Sequence, residues 1–236
     1  MVASLRSYAG LEPKINTNRL DIASLVKEQD HLELAHFATD ISMTHPYASL
    51  QVLRYLLQNS QIPSVQVRCA DDHILLMPYW DDGDDDLADD VHTMMRDLYA
   101  NDAAVATLTE EEREWIFHYF QKHRLFMDRI SFDEGMELSE FIRTHARTGM
   151  DHAHADFFEA AAHRARFWEN NDDTEALAHI IASYERIRER GVYGSHFRKE
   201  RVDARLAALD NQRQIRLYGE HNTEQANGKP GKELAR

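Results

Sequence analysis

The residues best suited to carry chemistry form a row of histidines and carboxylates, which we call the His/acid row. It comprises His152, Asp156, Glu159 and His163. Their spacings of four, three and four residues place them on one face of an α-helix, within roughly 60° of one another. Imidazole and carboxylate groups are ligands that zinc, iron and manganese accept in proteins. The row is therefore a candidate site for a divalent metal ion.

A metal site on this face would need further ligands from a neighbouring helix. Two pairs, Glu114/His118 and Glu175/His179, place an acid four residues before a histidine and could supply them. Helical di-iron sites instead use Glu and His three residues apart. Because 14 histidines stand among 41 acids, pairs at these spacings are about as frequent as composition alone would give. We therefore expect a solvated polar face, in which the pairs support the helix by modest side-chain interactions, with the metal site as the alternative.

A second catalytic candidate is the pair Arg113 and His118, which four residues separate. This spacing resembles the motif of HEPN ribonucleases, helical bundles that dimerise to cut RNA. The resemblance implies that Arg113 would stabilise charge at the phosphate and that His118 would transfer a proton. The same spacing occurs at three other places in the chain, and Glu114 follows the arginine where the family often has a small polar residue.

The charge distribution favours a protein partner. The 236 residues include 27 basic and 41 acidic ones, a formal net charge of −14. Residues 186–216 hold nine basic and four acidic residues, so the rest of the chain carries −19. An acidic surface disfavours duplex DNA, because phosphate contacts supply most nonspecific affinity. The candidate partner-binding residues are Asp81, Asp82, Asp84, Asp85, Asp86, Arg198, Arg201 and Arg205.

Residues 81–90 contain seven aspartates, and such a block is expected to repel itself and stay solvated. Asp82, Asp84 and Asp86 match the first three liganding positions of an EF-hand loop. Leu87 then stands where that loop needs glycine, and Thr93 where it needs a bidentate glutamate. The block is therefore not an EF-hand.

Motifs that the chain lacks exclude further classes of function. The single cysteine, Cys69, excludes a disulfide framework and any multi-cysteine metal site. The sequence contains no phosphate-binding glycine loop and no nucleophile elbow. No apolar stretch has the length of a signal-peptide core or a membrane span. We therefore expect a cytoplasmic protein with no membrane partner.

Helical periodicity and capping patterns predict a mainly α fold, an irregular multi-helix bundle with one small β-hairpin. Helices are expected to start at about residues 109, 131, 151, 172 and 195, because capping residues precede apolar stripes there. The hairpin would pair Val65–Cys69 with His73–Met77. The predicted organisation is N-terminal helices plus the β-hairpin over 1–80, an acidic linker with a short helix over 81–108, a five-helix bundle over 109–217, and a disordered tail over 218–236.

The leading functional prediction is a non-catalytic, cytoplasmic protein of bacterial type that binds or regulates another protein through a charged helical surface. The partner could be a basic protein, and mimicry of nucleic acid by ordered carboxylates is one form of this hypothesis. No cofactor is expected, and self-association is compatible with the sequence. Two enzymatic alternatives stay open: a metal-dependent helical enzyme that uses the His/acid row, and an HEPN-like ribonuclease.

Overall fold

In the computed structural model of the chain, the described residues are 27, 30–126, 131–169, 173–193 and 197–227. Side chains are described throughout these ranges except at 82, 83, 85, 124–126 and 216–227. Within them the chain forms ten α-helices and one short 3-10 helix, without a strand. The mainly α prediction is thus confirmed. The chain divides into two compact units, Met1–Asp128 and Arg129–Arg236.

The described part of unit 1 contains six helices, one of which is central. They are α1 (His31–Ile41), α2 (Pro46–Asn59), α3 (Pro63–Leu75), α4 (Asp82–Ala100), α5 (Asp102–Val105) and α6 (Glu110–Phe126), with the 3-10 helix Met77–Tyr79 between α3 and α4. The central helix α3 packs against α1, α2, α4 and α6. Thr109 and Glu112 exchange hydrogen bonds at the start of α6, which is the capping pattern that the sequence predicts.

The predicted β-hairpin is wrong, since both of its strands lie in α3 and the turn after it. Pro63 occupies the first turn of α3, where its missing N–H costs nothing. Val65, Val67 and Cys69 are all fully buried. These buried residues alternate with partly buried ones along the sequence. The alternation arises because α3 has helices on several sides, so residues on more than one of its faces reach the core. A strand-like period therefore arises from a helix that is buried almost all round.

The aspartate block begins α4 rather than forming a solvated segment. Asp84 is 0% exposed. It accepts hydrogen bonds from Arg54 (2.6 Å) and from the Asp81 backbone N–H (2.9 Å). One of its oxygens also lies 3.2 Å from a ring nitrogen of His73. Burial alone would raise the pKa of Asp84, but these contacts outweigh it and hold the pKa below its usual value. The buried carboxylate therefore ties the start of α4 to α2 and α3.

The other predicted aspartates differ in their surroundings. Asp81 is 69% exposed and pairs with Arg54 at 3.1 Å, and Asp86 is exposed. The side chains of Asp82 and Asp85 lie outside the described residues. Because residues 82–100 are a single helix within unit 1, the division between the units falls after residue 128 and not in the predicted linker.

The described residues of unit 2 form four helices. They are α7 (Phe132–Thr144), α8 (Gly149–Glu169), α9 (Thr174–Arg190) and α10 (Lys199–Asn227). Helix α8 packs against α7 and α9, and α9 packs against α10. The apolar core comes from the inner faces of α8, α9 and α10 and includes Phe167, Ile180, Ile187 and Leu206.

Local capping explains where the helices of unit 2 begin and end. Ser131 and Glu134 form the predicted capping box of α7. Thr148 and Asp151 exchange hydrogen bonds at the start of α8, so this helix begins two residues before the predicted cap. Asp173 caps α9. Helix α9 ends at Gly191, whose φ of +65° suits glycine because it has no Cβ.

The observed starts at residues 110, 132, 149, 174 and 199 lie close to those predicted for the five consecutive helices. The first of these belongs to unit 1. The predicted cap Ser195 lies outside the described residues. Helix α10 continues to Asn227, past the predicted end at 217, and the rest of the predicted tail is not described. No helix among the described residues combines the length and the apolar character that a membrane crossing requires.

Candidate metal centre

Two carboxylates of the His/acid row are held by arginines. Asp156, fully buried on α8, accepts hydrogen bonds from Arg143 of α7 (2.9 Å) and from Arg186 (2.9 Å) and Arg190 (3.1 Å) of α9. Both of its oxygens are used, and through them it links three helices. We call these three arginines with Asp156 and Glu159 the arginine–carboxylate cluster.

Glu159 lies one helical turn further along α8 in the same cluster. It accepts hydrogen bonds from Arg143, from Arg186 (2.7 Å) and from the Ser183 hydroxyl (3.3 Å). Burial would raise the pKa of Glu159, but the two arginines outweigh it and hold the pKa below its usual value. The carboxylate is therefore ionised at neutral pH. With three arginines and two carboxylates, the cluster has a formal charge of +1.

The next member of the row, His163, meets a histidine from α9. His163 is 5% exposed, and its ring stacks on that of His179 with centroids 4.3 Å apart and planes inclined by 7°. The ring of Phe132 also packs on His163 in a T-shaped arrangement, with ring centroids 5.1 Å apart. The buried Nδ1 of His163 has no hydrogen-bond partner among the described residues. Burial, and then the neighbouring His179, lower the pKa of His163, so the imidazole is neutral and its nitrogens can act as ligands.

Glu159, His163 and His179 together bring three potential ligand atoms close to one another. One atom from each side chain lies within 4.8 Å of the other two. Atoms that share a tetrahedral zinc ion at about 2.1 Å are about 3.4 Å apart. The group must therefore contract to bind, and exposed His179 is the side chain with room to move. We call these three residues the metal triad.

The expected solvated face is wrong for Asp156, Glu159 and His163, which are buried. The structure joins part of the row and separates the rest. Glu159 and His163 belong to the metal triad, whereas Asp156 is fully occupied by arginines. His152 is partly exposed on α8 and does not enter the described group. His179 belongs to Glu175/His179, one of the two pairs that the sequence offers for completing the site from a neighbouring helix. Its sequence partner Glu175 instead pairs with Arg166 at 3.2 Å.

The arginines around the site were missed as site residues. Arg186 and Arg190 follow His179 by seven and eleven residues, a spacing that places all three on one face of a helix. That face of α9 opposes the His/acid row on α8. The spacing is the sequence signal that could have found them, although it does not show which helix they face. Arg143 lies on α7 without a comparable spacing to the row.

The HEPN-like pair lies on α6, in unit 1. Arg113 donates its Nε–H to the carbonyl of Thr109 at 3.4 Å. Burial and the charge of Lys122 lower the pKa of His118 to about 4. Five positions along a helix correspond to a rotation of about 140°, so Arg113 and His118 project from different faces of α6.

The predicted basic partner residues lie at the start of α10 and just before it. Arg198 and Arg201 are exposed, whereas Arg205 is partly buried. Arg205 lines a cavity between α8, α9 and α10. The three arginines therefore do not form one uniform exposed patch.

Three comparisons with known proteins complete the description of the site. No family model, no curated protein and no solved structure matches this chain.

Proposed function

We propose that unit 2 binds a divalent transition-metal ion through the metal triad, Glu159, His163 and His179. The observation that carries this proposal is the buried Nδ1 of His163, which has no hydrogen-bond partner among the described residues. A buried polar nitrogen without a partner is costly, and metal ligation would satisfy it. Two histidines and one carboxylate are also a recurrent ligand set for zinc and for non-haem iron.

The protonation states of His163 and Glu159 support metal ligation. The lowered pKa of His163 gives a neutral imidazole, and the lowered pKa of Glu159 gives an ionised carboxylate. Both are the forms that bind metals, so little proton release opposes binding at neutral pH. The stacked rings hold their in-plane lone pairs in two nearly parallel planes, so His179 must turn out of the stack for both rings to reach one ion.

The arginines limit the affinity and define the chemistry of such a site. Arg143 and Arg186 already donate hydrogen bonds to Glu159, and their positive charges oppose the entry of a metal ion. The same guanidinium groups would bind an anion that approached the metal. Three protein ligands leave a coordination position open for water, as in catalytic zinc sites. The site would therefore suit metal-assisted reactions of an anionic substrate, which is the enzymatic form of the proposal.

Calorimetric titration of the full chain, prepared without a polyhistidine tag, with Zn²⁺ and Mn²⁺ tests the proposal. We expect saturable binding of one ion per chain. His163→Gln and His179→Ala should each weaken it by at least about tenfold, since removing even an outer-shell partner costs that much. His152→Ala is the matched control, because His152 lies on the same helix outside the triad. Absence of binding, or equal losses in all three variants, would overturn the proposal.

A second candidate, the charged interaction surface, is favoured by the helical state of the aspartate block. Helix α4 has four exposed aspartates whose spacing places them within an arc of about 100° around the helix axis. They are Asp86, Asp89, Asp90 and Asp97. None forms an ion pair with a described residue. Unit 1 has 10 basic and 22 acidic residues, so this face would attract a basic protein.

Affinity capture at low and high salt tests the second candidate. A partner held by this face should bind in low salt, dissociate in high salt as screening shortens the range of the charges, and be lost with Asp86→Asn/Asp89→Asn/Asp97→Asn. The control is Glu110→Gln/Glu111→Gln, which removes exposed acids from α6. A partner that both variants retain or that both variants lose would contradict the assignment to α4.

A further inference from the structure

Unit 2 contains a cavity that is separate from the metal triad. Its volume is about 220 Å³. It lies between α8, α9 and α10, and its walls combine apolar side chains with two arginines. The lining residues are Arg164, Phe167, Trp168, Ile180, Arg205, Ala208, Leu209 and Gln212.

The two arginines of this cavity have no acidic partner in the part of unit 2 that the structure describes. Arg164 lies over the ring of Trp168, 5.2 Å from its centroid, and neither Arg164 nor Arg205 forms an ion pair with a described residue. Both arginines are partly buried against the cavity. Two like charges beside one partly desolvated space repel each other, and an anion between them would remove that cost.

The rest of the wall favours an apolar body. Phe167, Ile180 and Leu209 are buried residues of the core of unit 2, and Trp168 adds a ring that is 59% exposed at the mouth. A space of this size holds roughly seven to ten non-hydrogen atoms, since one water molecule takes up about 30 Å³ in the liquid. Small-molecule sites commonly combine such apolar walls with a few polar groups that fix orientation.

We propose that this cavity binds a small amphipathic monocarboxylate, with the carboxylate between Arg164 and Arg205 and an aromatic or short aliphatic body against Phe167, Ile180 and Leu209. Guanidinium groups bind carboxylates through charge-assisted, often paired hydrogen bonds. A bare inorganic anion would leave the apolar wall unused. This proposal is independent of the metal triad and stands whether or not that site binds an ion.

Titration of the full chain with three probes, followed by calorimetry and by tryptophan fluorescence, tests the proposal. Benzoate carries both the charge and the apolar body, benzyl alcohol lacks the charge, and inorganic phosphate lacks the body. We expect saturable binding of benzoate at millimolar or lower concentration and at least about tenfold weaker binding of the other two, the loss typical of a charge-assisted hydrogen bond. Equal binding of phosphate would show a general anion site, and no saturation with benzoate below about 10 mM would exclude the site; either result overturns the proposal.

Variants then locate the binding. Arg164→Gln and Arg205→Gln should each weaken benzoate binding by at least about tenfold, whereas Arg213→Gln, which removes an exposed arginine of α10, should not. Ala208→Phe fills the cavity without changing its charge and should also abolish binding. Ala208 is exposed at the rim, so this variant keeps the test decisive if an arginine variant fails to fold. Benzoate binding that survives Ala208→Phe, or that Arg213→Gln weakens equally, would contradict the proposed location.

Discussion

The rings of His163 and His179 stack almost in parallel across the contact between α8 and α9, with their centroids 4.3 Å apart. One histidine is buried and the other is exposed, so one ring is fixed while the other has room to turn. A proton on either ring would repel a proton on the other. Burial and the neighbouring His179 lower the pKa of His163, so the buried ring is held in the neutral state in which imidazole binds metals.

Arg186 is expected to contribute more to the stability of unit 2 than Arg190. Arg186 donates to Asp156, Glu159 and Ser183, at 2.9, 2.7 and 3.0 Å, whereas Arg190 donates only to Asp156. Both side chains are about one-third exposed, so solvent screens part of each contribution. We expect Arg186→Met to lower the free energy of unfolding by about 1–2 kcal/mol and Arg190→Met by less than about 1 kcal/mol. Urea unfolding measures both, and an equal or reversed order would contradict the described contacts.

The same substitution should have the opposite effect on metal binding. Arg186→Met removes a positive charge beside Glu159 and leaves the Oε1 atom of Glu159 with the Ser183 hydroxyl as its remaining donor. Because a nearby cation opposes the entry of another, we expect the affinity for Zn²⁺ to rise by about three- to tenfold. Calorimetric titration of the variant beside the wild-type chain gives the ratio. A fall in affinity would mean that Arg186 positions Glu159 for ligation and does not compete for it.

Among the acidic residues of α4, Asp84 is expected to contribute most to the stability of unit 1. Its replacement by alanine would leave Arg54 and the buried His73 without their shared carboxylate. We expect Asp84→Ala to lower the free energy of unfolding by about 3 kcal/mol, as for other buried pairs that lose one member. Asp81→Ala is the control, because Asp81 is 69% exposed and exposed ion pairs contribute less than about 1 kcal/mol. Trp80, whose ring stacks on His73, reports unfolding of this region.

His118 should make the stability of unit 1 depend on pH. The pKa of His118 is about 4 in the folded chain and about 6.5 in an unfolded one. Below about pH 6.5 the unfolded chain therefore binds more protons, so the free energy of unfolding falls as the pH decreases from about 6.5 towards 4. His118→Gln should flatten this decline between pH 7 and pH 5, whereas His36→Gln, which changes an exposed residue, should leave it unchanged. Equal slopes in all three proteins would contradict the described burial.

The helices could be predicted from the sequence because their ends are determined locally. Ser131 and Glu134, or Thr109 and Glu112, satisfy backbone groups within one helical turn, so the pattern and its structural cause lie within four residues. The β-hairpin could not be distinguished from a helix in this way. Whether Val65 and Val67 share a face or lie on different faces of a buried element depends on how many helices surround α3, and that is a property of tertiary packing.

The candidate site could be predicted only in part for a related reason. The spacing of Glu159 and His163 places both on one face of α8, but it does not show which of the row's carboxylates groups with the histidines. Both Asp156 and Glu159 contact Arg143 and Arg186. Arg190 contacts only Asp156, whereas Glu159 groups with the two histidines. The role of His179 likewise depends on how α9 packs against α8.

Histidine side-chain NMR spectra of the full chain during titration with Zn²⁺ provide the most direct test of the metal triad. We predict that the ring signals of His163 and His179 shift together and saturate at one ion per chain, while those of His152 on the same helix stay in place. Saturating shifts confined to histidines outside the triad, or no shift at either His163 or His179, would contradict the assignment of this site.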